Sequence, residues 1–205
     1  MALLGKPWPQ RTERGRHAGC NPPGSAPAVL LAAALLVWLW PCSLYAQLPQ
    51  TNKNQLMAAY LLNFPNFVEW PEAAFAASNA RLTICVADGS SMVDTLQAAA
   101  RDRTAAGRKV EIRRVGNSSD AQRCHVLFFE AESRLPYEWL RGLSGAPVLT
   151  VSDDESFARD GGIIQFVLQD NKLRFVINVP AANRAQLTIS SKLLALAQIA
   201  ANQTR

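Results

Sequence analysis

Apolar residues in this chain recur at two spacings and also form unbroken runs, and each pattern predicts a different element. Within residues 54 to 67, Leu56, Met57, Tyr60, Leu61 and Phe64 fall at three- and four-residue intervals, which predicts an amphipathic helix ended by Trp70-Pro71. Short runs at residues 82–86, 110–115, 126–129 and 148–151 predict strands. The run at 126–129 has no polar position, as in a central strand covered on both faces. Asp88-Gly89-Ser90-Ser91 reads as a turn and cap for a helix through Ala100, with Met92, Val93 and Leu96 inward. Pro136 opens a short helix over residues 137–143, and residues 153–159 read as a helical turn broken at Gly161-Gly162. Residues 163–168 and 172–178 flank Gln169-Asp170-Asn171, a hairpin signal that makes these two strands antiparallel. Ser190 then caps a terminal helix in which Leu193, Leu194, Ala197 and Ala200 share a face. Strands alternating with helices predict one α/β/α layered domain: a mixed, mainly parallel sheet ending in an antiparallel hairpin and a C-terminal helix.

One stretch fits none of these elements. Residues 28–40 are thirteen consecutive apolar residues, about 20 Å as a helix against roughly 30 Å of membrane hydrocarbon. Lys6, Arg11, Arg14 and Arg16 precede the run, and Pro41, Ser43 and Ala46 follow it. Basic, apolar, then helix-breaking and small is the order of a secretory signal peptide. Residues 1–46 are therefore expected to be cleaved, leaving one domain over 47–205. A retained anchor and a core helix are the competing readings.

That division changes the meaning of the charge. The whole 205-residue chain carries +5, but residues 1–46 hold four basic residues against Glu13, leaving +2 for the rest. Nucleic-acid binding loses its electrostatic support. A content of 49% hydrophobic and 18% charged residues also excludes a disordered tail and a collagen-like repeat.

Cys20 and Cys42 lie in the leader, so export leaves Cys85 and Cys124, each on a predicted strand. In an oxidising compartment they most simply form one disulfide, and two separate buried thiols are the alternative. No C-x-x-C occurs, and a zinc site would need a fourth ligand beyond Cys85, Cys124 and His125. His125, the one histidine after the leader, reads as a structural residue at a strand edge. There is no G-x-S-x-G, and the turn Ala87-Asp88-Gly89-Ser90 lacks G-x-G-x-x-G and places a carboxylate where an anion would sit. Asp153, Asp154, Glu155 and Asp160 miss the calcium-loop spacing and suit a solvated helix start. The residues propose no enzyme, no cofactor and no metal.

The aromatic residues are more informative. Tyr60, Phe64, Phe67, Trp70 and Phe75 fall within sixteen residues, stiffened by Pro65 and Pro71. Helical spacing makes Tyr60 and Phe64 core. Phe67, Trp70 and Pro71 either join that core or supply a rigid apolar surface for a partner.

Two blocks then carry a resemblance. Met57-Ala-Ala-Tyr-Leu-Leu-Asn-Phe-Pro-Asn-Phe-Val-Glu-Trp-Pro71 resembles the opening of the YfiR/HmsC-like periplasmic regulators, with Met57 where lysine is common. The stretch from Gly161 to Val179, continued by Leu187-Thr-Ile-Ser-Ser-Lys-Leu-Leu-Ala-Leu-Ala197, is similar to that family's close. Ile84-Cys85-Val86 and Cys124-His-Val-Leu-Phe128 are similar to its paired-cysteine strands. The resemblance implies a periplasmic repressor that binds the periplasmic region of an inner-membrane diguanylate cyclase of the YfiN type. It further implies that an outer-membrane OmpA-like lipoprotein of the YfiB type sequesters the repressor, and that freed cyclase makes cyclic di-GMP and promotes biofilm. Dimers in the family extend to a homodimer here, and Cys85 and Cys124 correspond to one family disulfide. A second, C-terminal pair found in some relatives is missing.

Two other classes compete. A small-solute-binding module serving a transporter or sensor kinase needs a deep pocket with convergent polar groups. A thiol oxidoreductase needs an exposed cysteine of lowered pKa.

Overall fold

The structure is a computed structural model that describes residues 50–131 and 137–200. The expected signal peptide (1–46) and Pro136 lie outside the described residues.

The amphipathic segment forms helix α1 (Gln50–Asn63). Pro65 follows, and because proline has no N–H to donate, the chain tightens into a 3-10 turn (Phe64–Phe67) and leaves it extended at Val68. The remaining elements are β1 (Val68–Glu69), β2 (Leu82–Ala87), α2 (Met92–Ala99), β3 (Thr104–Ala105), β4 (Arg108–Val115), α3 (Ser118–Ala121) and β5 (Val126–Phe129). After these come α4 (Tyr137–Gly142), β6 (Leu149–Ser152), β7 (Ile164–Gln169), β8 (Lys172–Ile177), α5 (Val179–Arg184), β9 (Thr188–Ile189), α6 (Ser191–Leu194) and β10 (Gln198–Ile199).

Eight strands form one sheet in the order β10-β8-β7-β6-β5-β2-β4-β3. The central five, β4-β2-β5-β6-β7, are parallel, and β8 returns antiparallel beside β7. Strand order therefore reverses between β2 and β5, as in doubly wound folds. In register, Ile84 lies between Ile112 and Val126, and Cys85 beside Leu127.

The pleat divides each central strand between two cores. Leu82, Ile84, Val86, Val126 and Phe128 enter the larger one with Met57, Leu61, Met92, Leu96, Ala181 and Leu193. Cys85, Ala87, Leu127 and Phe129 enter the smaller one with Ala121, Leu143 and Phe157. Both faces are covered, so β2, β5 and β6 are buried at every position. This is why β5 reads as an unbroken apolar run, and why β2 and β6 are interrupted only by Thr83, Thr150 and Ser152, which are themselves buried.

The β7–β8 hairpin turns on Asp170 and Asn171 at φ 50° and 58°, left-handed positions that Asp and Asn tolerate. It sets Phe166 opposite Phe175, and Tyr60 and Phe64 pack on both rings with centroids 5.3–6.0 Å apart.

The chain's end departs from the periodicity. Ser190 does cap a helix, its side chain accepting from the Leu193 N–H, but α6 stops at Leu194. Gln198 and Ile199 then pair in parallel with Val176 and Ile177. The open edge of β8 offers backbone partners that a longer helix would forgo, and that pairing overrides local propensity. In place of the helical turn expected over 153–159, residues 155–161 form successive turns rather than regular helix, with the Asp154 carboxylate accepting from Ser156 N–H and Oγ–H.

Candidate functional site

The segment from Phe64 to Phe75 closes the end of the sheet where the parallel strands begin. Phe67 anchors it through its carbonyl, which accepts the Ser190 N–H at 2.9 Å, next to a two-residue antiparallel pairing of β1 with β9. Trp70 donates its indole N–H to the Pro147 carbonyl at 3.1 Å, just ahead of β6. Phe67 and Trp70 are half-buried against the larger core, and Pro71 is half-buried beside them. The structure thus brings Phe67, Trp70 and Pro71 into one continuous segment, with part of each in solvent.

Three further residues join them. Phe75 stacks on the His125 ring at 4.3 Å and 17°, and the Arg108 guanidinium carbon lies 3.7 Å from the Phe75 centroid. Two planar groups so close to one centroid must take opposite faces, so Phe75 is sandwiched between them. Trp70 meets both Phe75 and His125 edge-on at 6.4 Å. Arg108 also donates to the carbonyls of Ala77, Ser78 and Ala80 at 2.8–3.3 Å, fixing the loop that leads to β2.

His125 uses both ring nitrogens. Nδ1 accepts the Thr83 N–H at 3.0 Å, which leaves Nε2 protonated to donate to the Ala74 carbonyl at 3.1 Å. Only the neutral ring can do both. Burial pushes its pKa below 6.5; the Ala74 hydrogen bond opposes that shift and the Arg108 charge adds to it. The structural reading of His125 holds, with a role the sequence alone did not specify: it ties the turn at Glu72–Ala74 to β2 and β5.

Cys85 and Cys124 form a disulfide with Cα atoms 5.9 Å apart, facing the smaller core at 0% and 4% exposure. A bonded, covered pair has no thiolate to attack a substrate, which argues against the oxidoreductase reading. Among the described residues no group of three His, Cys, Asp or Glu side chains is arranged to hold a metal.

Doubly wound folds bind small ligands beyond the carboxyl ends of the strands, where the strand order reverses. Here two of the protein's own carboxylates lie at the carboxyl ends of β5 and β6. Glu130, after β5, accepts from the Ser91 N–H at 2.9 Å and the Ser91 hydroxyl at 3.2 Å, at the start of α2. Asp153, after β6, pairs with Lys53 at 2.8 Å and accepts the Ala131 N–H at 2.8 Å. A groove of about 700 Å³ runs alongside between α1 and α2, lined by Asn54, Gln55, Asp94, Thr95 and Ala98.

Among solved structures, the chain is similar to a conserved domain protein from Vibrio cholerae O1 biovar El Tor. The TM-score is 0.47 at 16% identity, over 71% of this chain and 59% of that one. The chain thus spans about three-fifths of that relative's length. No curated protein matches it significantly. The family model described as YfiR/HmsC-like matches residues 54–198, from the first turns of α1 to β10, and the chain belongs to that family.

Proposed function

We propose that this chain is an exported repressor that binds the periplasmic region of an inner-membrane diguanylate cyclase of the YfiN type and holds down cyclic di-GMP synthesis. Residues 1–46 direct export, and residues 47–205 are the working domain. An outer-membrane OmpA-like lipoprotein of the YfiB type withdraws the repressor, and the released cyclase promotes biofilm. The observation that carries this reading is the family match over 54–198. The YfiR/HmsC-like family is periplasmic and regulatory, not catalytic, and acts on a partner membrane protein.

The physical arrangement supports the reading. Repression requires only that the protein bind one cyclase conformation better than another; a tenfold preference takes about 1.4 kcal/mol. A rigid surface serves that purpose because little is lost in ordering it. The segment holding Phe67, Trp70 and Pro71 is such a surface, tied down through Ser190, Pro147 and His125. The carboxylates of Glu130 and Asp153 at the strand ends weigh against capture of an anionic solute there, while the groove beside α1 and α2 is the feature a solute would use.

The test is repression by Trp70→Ala and Pro71→Ala variants in the host, with abundance and melting temperature measured in parallel. Loss of repression by folded, exported protein supports this placement of the partner surface. Unchanged repression and abundance refute it.

A further inference from the structure

Strand β4 is the outermost long strand on its side of the sheet. Beyond it, β3 pairs only with Arg108 and Lys109, and among the described residues no strand lies against the outer side of residues 111–115. Two hydrogen bonds fix which backbone groups point that way. The Val110 N–H reaches outward to the Arg103 carbonyl at 3.1 Å, whereas the Val115 carbonyl accepts from Asp88 on the β2 side at 3.0 Å. Backbone groups alternate sides along a strand, so the N–H and C=O of Ile112 and Arg114 face outward. Residues 111–115 span about 17 Å, the length of an ordinary strand, and such an edge is a template for one more.

Side chains give this template a sign. Lys109, Arg113 and Arg114 are exposed on β4, and Arg81, Arg101 and Arg103 are exposed beside it. Among the described residues none of these six cations is paired with a carboxylate. Arg81, Arg101, Arg103 and Lys109 rim a groove of about 590 Å³ along the β3–β4 side of the sheet. Half-buried Val110 and Ile112 line the groove, and Asp102 is the one carboxylate in its lining. Glu111, half-buried, is the one acid on β4 itself.

These features choose the occupant. A second copy of this chain would bring the same cations to the same edge and be repelled. A flat anionic membrane would meet the rim without reaching the outward backbone groups of Ile112 and Arg114 or the apolar lining. We propose that the open edge of β4 receives an extended acidic segment of a partner protein by strand addition. Its backbone pairs with Ile112 and Arg114, its carboxylates lie on the face of Lys109 and Arg113, and its apolar side chains lie on the opposite face over Val110 and Ile112.

Isotope-labelled protein titrated with a short peptide alternating Glu and Val tests this at low salt. The expected result is slowing of amide exchange at Ile112 and Arg114 by about tenfold or more, with chemical-shift changes confined to β4 and the groove. Lys109→Glu with Arg113→Glu, both at exposed positions, should abolish that protection, and a Lys/Val peptide should produce none. Failure of the Glu/Val peptide to bind, binding away from β4, or binding that survives the double charge reversal overturns the proposal. So does binding of phosphatidylglycerol vesicles through these cations without peptide binding. The experiment needs no cyclase, so its outcome is independent of the regulatory reading.

Discussion

Replacing Cys85 and Cys124 together by alanine is expected to remove a large part of the domain's stability. The bond joins β2 to Cys124, two residues before β5, and closes a sequence separation of 39. In the chain-entropy model, constraining the unfolded state over that length contributes roughly 4 kcal/mol. Removing two sulfur atoms from a packed core also leaves a small void, since Cys85 is fully buried and Cys124 nearly so; this costs about 1 kcal/mol more. A total of roughly 5 kcal/mol is comparable to the whole stability of many domains. At about 2–4 °C per kcal/mol for a domain of this size, the melting temperature should fall by roughly 10–20 °C. Circular dichroism melts of the oxidised protein and the double variant measure that difference. Native-state alkylation with a reductant provides a second readout, because sulfurs this well covered should react only as fast as the domain opens. A fall of only a degree or two, or labelling of both cysteines in the folded protein within minutes, would refute the reasoning.

Two more perturbations follow from the site and its surroundings. The folded state resists protonating His125, because its Nδ1 already accepts the Thr83 N–H and its pKa lies below 6.5. The unfolded chain then binds the extra proton first, so this contribution to stability is complete above 6.5 and is lost as pH falls through the folded value. Denaturation midpoints measured on either side of 6.5 should show a greater acid loss in the wild type than in His125→Gln, and equal losses would contradict the role given to Nδ1. Gly162 packs so closely under Phe157 that a Cβ there would run into the ring. Gly162→Ala should therefore cost about 1–3 kcal/mol in a urea melt, and an unchanged midpoint would mean that the ring moves aside freely.

What could be read in the sequence depended on how local its cause was. β2, β5 and β6 are covered on both faces, so burial leaves mostly apolar runs, unbroken in β5 and interrupted by Thr83 in β2 and by Thr150 and Ser152 in β6. The β7–β8 hairpin shows because its turn chemistry sits between its own strands, at Asp170 and Asn171. The two-residue strands β1, β9 and β10 could not be read this way, because each exists through an edge supplied from elsewhere in the chain. The terminal helix was overextended for the same reason: residues after Leu194 have helical spacing, and β8's edge draws them into a strand. At the candidate site, the density of aromatic residues marked Trp70 and Phe75. The role of His125 was hidden because its partners, Thr83 and Ala74, lie 42 and 51 residues away. Arg108 reads locally as a strand charge, and only the fold sets it over Phe75.

The central claim is that this protein acts by restraining a cyclase through contact. The most direct measurement is intracellular cyclic di-GMP in the host before and after deletion of this gene, and again with the gene restored. The account predicts that the nucleotide rises on deletion and returns to its starting level on restoration. A level that does not change on deletion, in cells shown to contain the exported protein beforehand, would contradict it.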